Sequence, residues 1–342
     1  MRSLLGVSGA VAVAAAASAV VLVTAGPVAA ADDSFTIKDP RVTESSGLAA
    51  SRAHPGVYWT HNDSDDGPYI YAVDSKTGQT VARITMTGVG TPRDVEGISV
   101  GPDGQVYVGD IGDNLDGSWD HVWIYRFPEP EALGDATVRA TQFTVRYADG
   151  ARNAEALMVH PKTGRVYIAS KNEDKGGLYE GPAQLTASGS NTFRRVADVP
   201  WVTDGAFSPD GKRLVLRSYF SARTYAWQGD GTLDGGERVD APLQGQSESV
   251  SYTADGTALM FGSEGANSRV VRVAVEGAGA AAGADGGKAP SKDGGSSSAG
   301  GGGGAGGGAA ADGDGQNLTV GAIALGVATA LVLGLKRLLR RR

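Results

Sequence analysis

Carboxylates recurring at long, similar intervals carry most of the chemistry in this chain. Glu44, Glu96, Glu155, Asp204 and Glu248 each stand just before a short apolar run, at spacings of 52, 59, 49 and 44 residues. The second copy is the most acidic. There Asp94 and Glu96 lead into residues 98–100, Gly101-Pro102-Asp103-Gly104 reverses the chain, and residues 106–108 return it to Asp110, Asp113 and Asn114. A hairpin brings its two open ends together, so both acidic clusters belong at one end of a sheet. Carboxylates gathered in a small space repel one another. They must bind a cation, recruit Lys or Arg, or keep some protons. An oxygen-only set of Asp, Glu, Asn and carbonyls suits calcium. The plainer alternative is that these acids cap strand ends by accepting from backbone amides.

The elements that must position these residues repeat with them. Each acidic residue is followed by a strand, then a turn (His54-Pro55-Gly56, Pro102-Asp103-Gly104, residues 161–164, Pro209-Asp210-Gly211, Ala254-Asp255-Gly256), then a second strand of the Val-Tyr-Trp or Leu-Val-Leu type. Two more strands complete each unit: residues 69–73 and 80–86, 122–127 and 141–147, 177–180 and 193–199, 223–227 and 237–241. The fifth unit offers only residues 269–275 beyond its first two strands, and residues 34–37 are the natural donor of the missing one. Four antiparallel strands per long repeat predict a five-bladed β-propeller. Six blades are the alternative, if the long second unit hides an extra sheet. In a propeller the start of each first strand and the end of each second strand share one face. That face would collect the five acids around the channel mouth. Around them would lie His61, Asn62 and Asp63; Asp110, Asp113 and Asn114; Ser170, Lys171 and Asn172; Arg217 and Tyr219; and Glu264.

The flanks read differently. Arg2, an Ala/Val-rich run and Ala29-Ala30-Ala31 predict a cleaved signal peptide over residues 1–31. Residues 32–276 make the propeller, and residues 277–316, nearly all Gly, Ala, Ser and Asp, form a linker unable to bury a core. Residues 317–336 contain an uncharged apolar run that, at about 1.5 Å per residue, matches a bilayer core, and the basic tail 337–342 places that end in the cytoplasm. The expected location is therefore the cell membrane, with a single span and the propeller outside.

Residues 32–276 hold 34 Asp and Glu against 23 Lys and Arg, a net of −11, whereas the whole chain carries −7. So acidic a domain disfavours nucleic acid, whose binding rests on cationic contacts. The chain has no cysteine, which removes disulfides, thiolate zinc sites and thiol nucleophiles. No GxSxG occurs in the propeller and no HExxH anywhere in the chain. Asp63-Ser64-Asp65-Asp66-Gly67 has the composition of a calcium loop but not the spacing or the distal Glu of an EF-hand.

THNDS (60–64), RDVEGI (93–98), GDIGDN (109–114), NAEAL (153–157), IASK (168–171), SPDGKRLVLRSY (208–219), SES (247–249) and GSEG (262–265) resemble the motifs of a group of secreted bacterial propeller proteins. More distantly, the chain is similar to phytase-like (esterase-like) and gluconolactonase/regucalcin-type propellers. The resemblance covers about 230 residues of the chain. It implies a calcium-type ion facing Glu44, Glu96, Asp110, Glu155 and Glu248. The Lys and Arg cluster of phytases is thin here, since only Lys171, Arg217 and Arg93 are candidates to reach the face. Two functions are expected from these residues. One is a cell-surface, monomeric module that binds a divalent cation and an extracellular ligand or protein. The alternative is a calcium-dependent hydrolase of phosphoesters or lactones, with His61 or a raised-pKa carboxyl as general base and Lys171 and Arg217 steadying the oxyanion.

Overall fold

The computed structural model describes residues 32–276 other than 65, 116, 173–175 and 230. The expected signal peptide, linker, membrane span and tail lie outside the described residues. Within them the chain is all β, with no helix.

Twenty-one strands follow one another. β1 (Phe35–Thr36) precedes β2 (Ser45–Ala50), β3 (Val57–Asn62), β4 (Tyr69–Asp74) and β5 (Thr80–Thr87). Then come β6 (Val95–Val100), β7 (Gln105–Asp110), β8 (Val122–Pro128), β9 (Ala136–Arg139) and β10 (Thr141–Tyr147). The third group is β11 (Ala154–Val159), β12 (Val166–Ser170), β13 (Gly176–Glu180) and β14 (Ser190–Val199); the fourth is β15 (Asp204–Phe207), β16 (Arg213–Arg217), β17 (Ala222–Trp227) and β18 (Leu233–Val239). β19 (Ser247–Tyr252), β20 (Ala258–Ser263) and β21 (Arg269–Ala274) end the series. Apart from β1 and β9, neighbouring strands of each group pair antiparallel in chain order, which divides the described residues into five units, β2–β5, β6–β8 with β10, β11–β14, β15–β18 and β19–β21. β1 supplies the fourth strand of the last unit, pairing antiparallel with β21 through Phe35↔Val270 and Thr36↔Arg269.

Two connections depart from the sequence expectation. The length of the second unit comes from β9, which does not start a new sheet but adds to β5 in parallel, as a fifth strand of the first unit. The outer strands β10 and β14 also pair in parallel, so units two and three form one continuous eight-stranded sheet. The outer strand of unit four begins at Leu233, earlier than expected, because Gly236 is the extra residue of a bulge facing Thr224 and Tyr225, with Gly235 and Gly236 at positive φ. Glycines inside a strand pattern mark such bulges but erase its alternation.

Apolar side chains pack between successive units. Trp59, Ile70 and Ile84 of unit one meet Val106, Tyr125 and Phe127 of unit two. Ile124 and Phe143 meet Leu157 and Ile168, and Met158 and Tyr167 meet Phe207 and Leu216. Val215 packs with Tyr252 and Phe261, and Phe35 and Met260 of the last unit pack with Tyr58 and Tyr71 of the first. The last layer joins end to beginning, so the units close into a propeller-like ring, with their first strands β2, β6, β11, β15 and β19 neighbouring one another around it. Close approach of these strands depends on missing side chains. A Cβ on Gly97 would lie 2.6 Å from the Leu157 amide nitrogen, and one on Gly47 3.1 Å from the Ile98 nitrogen.

Candidate metal centre

A β-bulge at the entry of the innermost strand positions the acids. In β6 the register steps from Val95↔Asp110 to Gly97↔Gly109, leaving Glu96 as the extra residue. The same step leaves Glu155 unpaired between Ala154 and Ala156, and Glu248 between Ser247 and Ser249. A bulged residue turns out of the alternation of its strand, and here the same irregularity re-aims a Glu in three units. In unit one the irregularity spans Ser46 and Gly47. Ser46, not Glu44, is therefore the counterpart of Glu96, and its hydroxyl donates to Glu96 Oε2 at 2.8 Å. Unit four has no bulge: Asp204 pairs directly with Arg217.

Asp63, Asp94 and Glu96 form the tightest group, with one carboxylate oxygen of each within 4.8 Å of the others. Asp63 follows β3 and bridges units one and two through its backbone, its amide donating to the Glu44 carbonyl and its own carbonyl accepting from Val95. Asp94 is buried and accepts from Asn114 Nδ2 at 3.1 Å. Asp63 Oδ1 is buried and has no hydrogen-bond partner among the described residues. Burial pushes the Asp63 carboxyl well up, and the charges of Asp94, Glu155 and Glu264 push it further. Glu96 is raised by burial and by Glu155, Asp63 and Asp94, against a smaller opposing pull from Lys171.

Lys171 lies beside this group. Its Nζ is 2.9 Å from Glu155 Oε1 and donates to the Tyr219 hydroxyl at 2.8 Å. Burial works against the ammonium, yet Glu155, Tyr219, Glu248 and Glu96 together lift its pKa well above the usual lysine value. Glu155 is raised by burial despite Lys171. Burial likewise pushes Glu248 up to about 8, with Lys171 opposing and Glu155 and Glu264 adding. Chemically, a buried oxygen cluster with more negative than positive charge has the donor set a hard divalent cation takes, and such binding would expel the protons these acids retain. Asp63, Asp94 and Glu96 are the residues placed to hold one.

Other candidates from the sequence occupy different surroundings. Asp110 is fully buried, and its carboxylate accepts from the Arg93 and Asp94 amides at 3.1 and 2.9 Å and from the Tyr125 hydroxyl at 2.6 Å. It braces the entry to β6 rather than joining the three-acid group. Glu44 is half-buried and accepts from the Ser64 hydroxyl at 3.4 Å. Asp204 accepts from the Gly205 and Val250 amides, stitching unit four to unit five. His61 is fully buried; its Nε2 has no partner among the described residues and faces the position where Gly47 lacks a Cβ, and burial lowers its pKa to about 4. Arg217 is buried over the Phe261 ring, donates to the Ser249 and Gly262 carbonyls and to Gln244 Oε1, and is lowered to about 10 by burial. Arg93 is held between the rings of Trp119 and Trp123, 3.9 and 3.8 Å from their centroids.

The expected ion set thus overlaps the observed group at Glu96 alone, with Glu155 and Glu248 adjacent through Lys171. Asp63, expected on this face, and Asp94, expected at the strand entry, complete the group although the resemblance does not imply them as ion ligands. The signal available was the acidic pair Asp94 and Glu96 at one strand entry, but the bulge at Glu96, not strand alternation, sets how they meet. The far ends of the same inner strands look different. There a cavity of about 240 Å³ is lined by Ala50, Val100, Phe207, Tyr252 and their neighbours, with Arg52 and no carboxylate.

No known family model matches the chain, and no curated protein matches it. Among solved structures, similarity extends to the mitotic checkpoint complex (17% identity, 66% of this chain and 63% of that one, TM-score 0.37). It extends also to the hydrazine synthase of Kuenenia stuttgartiensis (14%, 64% and 61%, TM-score 0.39) and to U3-55K (12%, 66% and 80%, TM-score 0.37). The chain spans less than two thirds of the first two of these.

Proposed function

We propose that residues 32–276 are a five-bladed propeller that binds a divalent cation of the calcium class on Asp63, Asp94 and Glu96, and beside it an extracellular ligand or partner. The supporting observation is the buried, unpartnered Asp63 Oδ1 inside a three-carboxylate group whose oxygens lie within 4.8 Å of one another. Leaving such a group without a counter-charge is costly, and a cation supplies one. The five-unit ring supports the blade count, with β1 closing the last unit. Catalysis is not part of the proposal. Arg217 donates to two backbone carbonyls and Gln244, and His61 is buried against Gly47, so packing already accounts for both side chains. The same reading sets the chain on the outside of a membrane, resting on the apolar run 318–335 and the basic residues after it.

Titrating calcium into the full chain in detergent tests the cation. One ion per chain, with heat that varies with the ionisation enthalpy of the buffer because protons leave, is the expected result. Absence of both binding and calcium-dependent thermal stabilisation would overturn it. Retention of the chain in the membrane fraction through a mild salt wash is expected, and its release would overturn the anchor.

A further inference from the structure

Four large apolar side chains stand exposed among the described residues: Leu115 (71%), Leu133 (37%), Phe220 (45%) and Leu243 (80%). Three of them share the face of the acidic mouth. Leu115 lies in the connection from β7 to β8, Phe220 in the turn from β16 to β17, and Leu243 in the connection from β18 to β19. Because paired strands run antiparallel, these connections meet the strand ends where Glu96, Asp204 and Glu248 stand. Leu133, the least exposed, follows β8 at the opposite end, where the Glu129 amide donates to the Gly104 carbonyl. Each of the three is the chain neighbour of a residue bonded toward the mouth. Asn114 Nδ2 donates to Asp94 Oδ2 at 3.1 Å, the Tyr219 hydroxyl accepts from Lys171 Nζ at 2.8 Å, and Gln244 Oε1 accepts from Arg217 at 2.9 Å. On unit four the apolar surface widens into a ledge. The Trp201 ring meets Tyr219 edge-on at 5.6 Å, and the Phe220 ring lies 6.3 Å from Tyr219. Exposed apolar and aromatic side chains gathered on one face mark an interaction surface.

Charge says what fits it. Lys171, Arg152 and Arg195 on this face are ion-paired with Glu155, Asp149 and Asp198 at 2.9, 2.8 and 2.8 Å, and Arg93 is held between the rings of Trp119 and Trp123. Glu248, by contrast, is 5% exposed with its Oε2 unpartnered among the described residues, and the half-buried Glu44 and Glu264 carry negative charge out to solvent. Such a mouth repels the phosphates of a bilayer and attracts basic side chains. We propose that this face docks a protein segment that presents Lys or Arg to the acidic mouth and seats flanking apolar side chains on Leu115, Leu243 and the ledge of Trp201, Tyr219 and Phe220. This names the partner of the site proposed above, and it rests on that reading for the partner and not for the ion.

The test is fluorescence anisotropy of labelled synthetic peptides with the full chain in phosphatidylcholine nanodiscs, with empty discs as blank, in EDTA and in calcium. A peptide alternating Leu and Lys is expected to bind, and peptides alternating Leu with Glu, or Ser with Lys, to bind at least about tenfold more weakly. The triple variant Leu115→Ser, Phe220→Ser, Leu243→Ser and the double variant Glu44→Gln, Glu264→Gln should each weaken the Leu and Lys peptide about tenfold. Leu133→Ser should leave it unchanged. These side chains are exposed or half-buried, and melting curves confirm that each variant folds. Absence of binding, equal binding of the Leu and Glu peptide, or equal binding by the triple variant would overturn the inference. Quenching of Trp fluorescence by brominated phosphatidylcholine that the triple variant abolishes would also overturn it, by seating the face on lipid. Peptide binding without calcium uptake leaves this inference standing and overturns the ion; calcium uptake without peptide binding does the reverse.

Discussion

Replacing Asp63 by Asn should stabilise the calcium-free protein and destabilise the calcium-loaded one. With calcium at a hundred times its Kd, binding adds about 2.7 kcal/mol to folding. For a domain of this size each kcal/mol moves Tm by about 2–4 °C, so calcium should raise the wild-type Tm by roughly 5–11 °C. Changes to groups that merely touch ligands weaken metal sites about 10–100-fold, and a ligand itself should cost at least the upper figure. At the same calcium concentration the Asp63→Asn protein then gains only about 0.4 kcal/mol, near 1 °C. Without calcium the sign reverses. The Asp63 carboxyl is held well above its ordinary 3.8 by burial and by Asp94, Glu155 and Glu264. The folded state therefore holds a proton that the unfolded state releases, and stability falls as pH rises above that ordinary value. Asn carries no such penalty. In EDTA at pH 8 the variant should melt above the wild type, and near pH 3.5 the two should coincide. Scanning calorimetry in EDTA and in calcium at both pH values supplies the measurement. A variant that melts below the wild type in EDTA at pH 8, yet gains as much from calcium, would refute the reasoning.

The same linkage applies to Glu248, pushed from 4.5 up to about 8. In EDTA the Tm of the wild type should fall between pH 4.5 and 8, and Glu248→Gln should flatten that fall. Arg217→Met should cost about 2–5 kcal/mol, read as a lower denaturant midpoint, because the Ser249 and Gly262 carbonyls lose their buried donor; a change under about 0.5 kcal/mol would contradict the role given to it. Phe35→Ala removes a buried ring from the strand that closes the last unit and should cost about 3–5 kcal/mol in the same assay. An equally large effect from Leu115→Ala, at an exposed side chain, would contradict the packing assigned to Phe35.

Much of the fold is local and therefore readable. Turn residues recur after each inner strand, with Gly104, Gly164, Gly211 and Gly256 all at φ between 68° and 74°, and the apolar runs on either side carry their own β propensity. The carboxylate repeat was readable for the same reason, since one residue type returns at one place in each unit. A repeat does not say which oxygen is already taken. Asp110 and Glu96 look alike in a motif, but the Tyr125 hydroxyl and two amides have claimed Asp110, while Glu96 stands beside Asp63 and Asp94.

By itself, the order of residues determined the all-β character, the repeat, the acidic excess and the donation of an N-terminal strand to the last unit, because each depends on short-range propensity or on counting. Tertiary structure decided which acids meet. A bulge exists only relative to the strand it pairs with, so the step that frees Glu96, Glu155 and Glu248 has no signature in a single segment. The extra residue in unit one, which puts Ser46 where Glu44 was expected, is invisible for the same reason. Lys171 lies 16 residues from Glu155 in the chain and 2.9 Å from it in space. The β11–β12 hairpin brings that ammonium to Glu155, but only closure of the ring adds the acids of units one, two and five.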